Sequence, residues 1–116
     1  MDPADVDRFT ALDIRVGRIT HAIQNRTARR PALVVDIDFG DQLGTKRSSA
    51  QIGEAYTPES VAGRLVLAVV NLPTKRVAGI DSEVLVLGVY AAGGDGPVVL
   101  IAPDDHPAIQ PGDRLG

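Results

Sequence analysis

Two short apolar runs, Leu65-Val66-Leu67-Ala68-Val69-Val70 and Val84-Leu85-Val86-Leu87, flank a polar, basic connector. Both are too short for independent helices, rich in Val, and bounded by Gly or Pro, which is the pattern of strands buried on both faces. Two such strands would hold the connector, Asn71-Leu72-Pro73-Thr74-Lys75-Arg76 through Asp81-Ser82, on a rigid edge. With Asn, Lys, Arg and Ser but no carboxylate before Asp81, it offers hydrogen-bond donors to a polar or anionic ligand. That inventory favours binding over catalysis.

Other strands follow from alternation and turn chemistry. Residues 13 to 24 alternate Ile14, Val16, Ile19 and Ile23 with Arg15, Arg18 and Thr20, and the period slips at Gly17, which predicts a long strand bent at a glycine. A basic loop, Asn25 to Pro31, leads to a strand over Ala32 to Phe39. There Leu33, Val35, Ile37 and Phe39 share one face, and Asp36 and Asp38 the other. Gly40-Asp41-Gln42-Leu43-Gly44 turns the chain into a third strand, Thr45 to Ile52. Its Ser48-Ser49-Ala50-Gln51 segment is small and hydrogen-bonding where a core strand is normally bulky. It either lets a ligand approach or satisfies nearby backbone.

Thr57 can cap a helical turn that has Pro58 in its first position and Gly63 at its end. At the N-terminus, Asp2 can cap another with Pro3 at its first position, placing Val6 and Phe9 on one face. After the loop Ala91 to Pro97 comes a last strand, Val98 to Ala102, then a Pro- and Asp-rich extended tail. Five or six strands with a short helix between the third and fourth define an all-β fold, an OB-fold Greek-key barrel with N- and C-terminal extensions. Residues 1–116 are read as one such domain. With 44% apolar and 23% charged residues among 116, the chain has the composition for one core and not for disorder.

Several functions are disfavoured by what the chain lacks. Without Cys it has no disulfide, thiolate ligand or Cys nucleophile. His21 lies among apolar neighbours and His106 among prolines, so neither metal nor cofactor is expected. Asp104 and Asp105 point apart on an extended segment, and no phosphate-cradling motif follows a strand. The chain does not read as an enzyme. Its acidic start and the absence of an apolar stretch near about 18 residues point to a soluble, cytoplasmic protein.

Charge is unevenly distributed. The net charge is −3, yet residues 14 to 80 carry ten basic and five acidic side chains, leaving the ends strongly negative. A basic middle with acidic ends suits one anion-facing surface and another that repels anions or packs on a partner. Arg26, Arg29, Arg30, Lys46 and Arg47 form the candidate basic rim, together with Lys75 and Arg76. The aromatic residues are Phe9, Phe39, Tyr56 and Tyr90. That is too few for a base-stacking platform, so RNA binding would rest on phosphate contacts and shape.

The blocks Leu12-Asp13-Ile14-Arg15-Val16-Gly17-Arg18-Ile19, Asp36-Ile37-Asp38-Phe39-Gly40, Ser48-Ser49-Ala50-Gln51-Ile52, Ala68-Val69-Val70-Asn71-Leu72-Pro73 and Ser82-Glu83-Val84-Leu85-Val86-Leu87-Gly88 together resemble the CsaA proteins. These are export-related chaperones built as a tRNA-binding domain, related to the C-terminal domain of bacterial methionyl-tRNA synthetase. The resemblance implies a homodimeric chaperone that binds unfolded or presecretory polypeptides and is linked to the Sec export machinery. It equally leaves open a tRNA-binding accessory protein that uses the same rim. By position it implies peptide or tRNA contacts at Ser48, Ser49, Gln51, Asn71, Lys75, Arg76 and Ser82. Residues 1–12 and 98–116 would form the dimer interface, with Phe9, Leu12, Val98, Val99, Leu100, Ile101 and Ile109 supplying apolar area.

Overall fold

The computed structural model describes residues 3–116. Five antiparallel strands form its main sheet: β1 (Ile14–Gln24), β2 (Leu33–Asp38), β3 (Thr45–Ala50), β4 (Leu65–Val69) and β7 (Leu85–Val86). Their spatial order is β3-β2-β1-β4-β7, and the sheet curls until its two edges nearly meet. Two hairpins complete the strands, β5 (Lys75–Val77) with β6 (Ile80–Ser82), and β8 (Gly88–Tyr90) with β9 (Val98–Leu100). The result is the expected all-β, OB-type barrel.

Ile19, Leu33, Val35, Ile37, Phe39, Val61 and Val66 fill the interior. Burying each such side chain is worth roughly 1.5–3 kcal/mol. The helical turn α2 (Pro58–Val61) is too short to persist alone. Thr57 and Ser60 cap it reciprocally, and Val61 anchors it in the core. Gly63 follows with φ +86°, a conformation that costs glycine least.

Several local expectations are corrected. The strand β1 keeps an unbroken register against β4 through Gly17, and its one register shift, against β2, falls between Ile19 and His21. Gly17 has a different reason to be glycine. A Cβ there would collide with Ile37 Cγ2 and approach Phe39 Cε1 to 2.7 Å, so the missing side chain lets β1 close over the core. The first helix, α1, spans Val6–Thr10 and is capped by Asp5, whose carboxylate accepts from Asp7 N–H. Pro3 precedes it outside the helix, and Asp2 lies outside the described residues.

The second apolar run is not a strand buried on both faces. Only Leu85 and Val86 join the main sheet, Leu85 is 52% exposed, and the chain then turns away into β8. The connector is likewise no loop. Its β5–β6 hairpin turns through Ala78 and Gly79 with positive φ at both, the requirement of the tightest two-residue hairpin turns. The strand β3 stops at Ala50, because Ile52 N–H bonds Ala50 C=O and folds the chain sharply at Gln51.

The C-terminal segment is extended but tied down. Gly112 N–H bonds Val16 C=O, Val16 N–H bonds Asp113 C=O, and Leu115 N–H bonds Ile14 C=O. This adds a short partner to the free edge of β1.

Candidate functional site

Where the main sheet's edges meet, the seam is bonded in three successive ways. Glu83 N–H donates to Arg47 C=O at 2.8 Å, and Arg47 N–H donates to the Glu83 carboxylate at 3.0 Å. Two residues further along β3, Ser49 N–H donates to the Ser82 hydroxyl at 3.2 Å. The Ser48 hydroxyl, 2% exposed, donates to Val84 C=O at 3.0 Å. Side chains thus take over from backbone as the edges diverge. Beyond them the seam opens into a cleft of about 370 Å³.

Apolar groups form much of its wall: Ile52, Leu72, Pro73, Val77, Val84 and Val86. Ser48, Ser49, Gln51, Lys75 and Ser82 also line it, so five of the seven expected contact residues meet in one place. Within this group the serines are largely committed to closing the seam. The alternative left open by the small residues of β3 resolves as both: they satisfy backbone and leave room beside it. Lys75 forms no ion pair among the described residues.

Asn71 and Arg76 are placed elsewhere. The Asn71 amide donates to Ala11 C=O at 2.8 Å and accepts from Asp13 N–H at 2.8 Å. It clamps the segment after α1 against the start of the connector, and its neighbours Leu72 and Pro73 then face the cleft. Arg76 pairs with Asp81 across its hairpin at 3.0 Å. It lines a separate polar hollow of about 660 Å³ with Lys46, Arg47, Asp36, Asp81 and Glu83. Arg47 is held there by Asp36 at 2.8 Å, and that hydrogen bond keeps the Asp36 carboxyl below its ordinary range.

The rest of the basic rim is the loop after β1. Arg26 and Arg30 line a third hollow with Tyr56 and Thr57, and Arg29 is exposed next to it. None of these three arginines is ion-paired among the described residues. Asn25 ties this loop to the cleft. Its side-chain N–H groups reach Ser49 Oγ at 3.0 Å and Ala78 C=O at 3.3 Å, locking the basic loop against the tip of the β5–β6 hairpin.

The expected interface residues divide into two groups. Phe9, Leu12 and Val99 are exposed, whereas Val98 and Leu100 pack against their own core; Ile101 and Ile109 are half-buried. Sequence reasoning missed Val89, which lies directly opposite Val99 in the β8–β9 hairpin and is 52% exposed. Tyr90 beside it is exposed as well. A run of β-branched and aromatic residues outside the main barrel was the available signal.

An OB-type barrel with an apolar seam cleft and an unpaired basic loop beside it defines a binding module. A family described as "Putative tRNA binding domain" matches residues 14–114. The chaperone CsaA of Bacillus anthracis superposes with TM-score 0.84 at 44% identity, over 99% of this chain and 100% of that one. The CsaA chaperone of Picrophilus torridus gives TM-score 0.87 at 38% identity, over 98% and 100%. Methionine–tRNA ligase of Archaeoglobus fulgidus is 33% identical over 95% of this chain, which spans 16% of the ligase. The chain therefore belongs to the tRNA-binding domain family, in its CsaA-type branch. The family is one of binding modules, and its resemblance to CsaA chaperones and to part of a tRNA ligase supports a chaperone or tRNA-binding role.

Proposed function

We propose that this protein is a cytoplasmic, homodimeric chaperone whose seam cleft holds apolar segments of unfolded or presecretory polypeptides, in connection with the Sec export machinery. The observation that carries this reading is the cleft itself, an apolar wall with Lys75 unpaired at its edge. Its similarity to two proteins named as CsaA chaperones supports the assignment. Apolar side chains of a client would be desolvated against Ile52, Val84 and Val86, and Lys75 would meet a carboxylate or carbonyl of the same segment. Phe9, Leu12, Val89 and Val99 supply exposed apolar area for the dimer, since patches of that kind on small proteins mark association surfaces. Light scattering tests the reading: the protein should suppress aggregation of a chemically unfolded client. Unchanged aggregation, with no binding of a presecretory peptide, rejects it.

The second reading is tRNA binding through Arg26, Arg29 and Arg30, and the family match together with their freedom from ion pairs favours it. A gel-shift titration across salt concentrations separates the two, because phosphate contacts require affinity to fall steeply with salt.

A further inference from the structure

Both walls of the cleft carry backbone groups without partners. On one side, Gln51 sits at the centre of the sharp turn that ends β3, and neither its N–H nor its C=O has a hydrogen-bond partner among the described residues. On the other side, the pairing of β7 with β4 fixes which groups are free. Leu87 N–H donates to Leu67 C=O, so the alternation of an antiparallel pair puts Val86, opposite Ala68, in a non-hydrogen-bonded position. The Val86 N–H and C=O therefore point away from β4, towards the cleft it lines. Free main-chain groups at a sheet edge are a template for another strand.

Resting on the chaperone reading above, we infer that the cleft recognises the main chain of its client, an extended polypeptide segment that hydrogen-bonds as an added strand to Val86 on one wall and Gln51 on the other. Main-chain bonding supplies affinity without demanding a sequence, and side-chain pockets supply preference. A site for many unfolded clients needs that division. The side-chain preference follows from the lining: small apolar groups against Ile52, Val84 and Val86, and a carboxylate near the unpaired Lys75. Glu83 lines the cleft as well, so the charge preference is local: a client carboxylate is favoured beside Lys75 and disfavoured beside Glu83. The pairing also accounts for the seam chemistry. The Ser48 and Ser82 hydroxyls close the barrel up to the cleft, the latter accepting from Ser49 N–H, and the client would continue the closure with backbone.

The test uses the full-length protein and a short acetylated peptide of alternating Val and Ser with one Glu, followed by fluorescence anisotropy and amide hydrogen exchange. The peptide should bind and slow exchange of both the Gln51 and Val86 amides by roughly tenfold or more. Two versions N-methylated at alternate residues, offset by one position, should each bind roughly tenfold more weakly, because each removes the donors facing one wall. If either N-methylated version binds as tightly as the parent, or either protein amide is left unprotected, main-chain pairing is wrong while the chaperone reading stands. If the parent peptide and an unfolded client both fail to bind, the chaperone reading itself falls.

Discussion

The Ser48 hydroxyl donates to the Val84 carbonyl across the barrel seam, at the boundary between the closed barrel and the open cleft. With Ser48 almost wholly buried, replacement by Ala leaves Val84 C=O only a longer contact of 3.4 Å to Ser82 Oγ. Ser48→Ala should cost about 1–2 kcal/mol, seen as a lower urea midpoint with unchanged slope. Equal midpoints would mean that the hydroxyl does not hold the seam.

Gly17 gives a packing prediction. Its backbone needs no positive φ, so the case for glycine rests on the space taken by Ile37 and Phe39. Gly17→Ala should destabilise the barrel by about 1–3 kcal/mol, as overpacking does, and should lower the thermal midpoint. An unchanged midpoint would show that β1 can lift without cost.

The Asn71 clamp predicts a local effect. Asn71→Ala removes both bonds to the residue 11–13 segment while leaving the core untouched. Exchange of the Asp13 amide should accelerate by an order of magnitude or more, with only a small change in global stability. If α1 belongs to the dimer interface, sedimentation should also show weaker association.

Acid stability has a defined sign. The hydrogen bond from Arg15 holds the Asp13 carboxyl below its ordinary value, against a smaller opposing effect of burial, and the charges of Arg15 and Arg114 add to it. A carboxyl lowered on folding contributes stability above its unfolded-state pKa, and that contribution disappears as pH falls through the folded value. Asp13→Asn should therefore lower stability at neutral pH and flatten the acid limb of the stability–pH curve. The check is thermal unfolding measured between neutrality and the acid side of the carboxylate range.

Lys75 allows a reversal of preference. Lys75→Glu should weaken binding of a Glu-bearing apolar peptide and strengthen binding of the matching Lys-bearing peptide, by a few-fold at low salt, with the difference shrinking as salt rises. If the two peptides respond alike, Lys75 is not at the client's charged position.

The barrel was legible in the sequence because its signals are periodic. Leu33, Val35, Ile37 and Phe39 could share a face in only one way, and Thr57-Pro58 announced the helical turn. The connector was misread for a local reason. An Asn-Gly or Asp-Gly turn would have marked the β5–β6 hairpin, but here Ala78 takes the positive-φ position, and Asn25, distant in sequence, bonds its carbonyl. The resemblance implied contacts at Ser48 and Ser82, and both line the cleft, but their hydroxyls bond inward to the Val84 carbonyl, which no sequence pattern announces. Asn71 read as a donor for a ligand because its partners, Ala11 and Asp13, are backbone groups far away in the chain. Side-chain bonds between distant segments leave no period for sequence reasoning to detect.

The tether between Gly112–Leu115 and Ile14–Val16 also bears on how such a module is built into larger proteins. The chain enters and leaves the barrel at adjoining points, with Arg15 bonded to both Asp13 and Gly112. This geometry is compatible with a stretch so similar forming a small fraction of a methionine–tRNA ligase. It also makes the barrel a suitable candidate for circular permutation, with new ends opened in the loop Ala91 to Pro97.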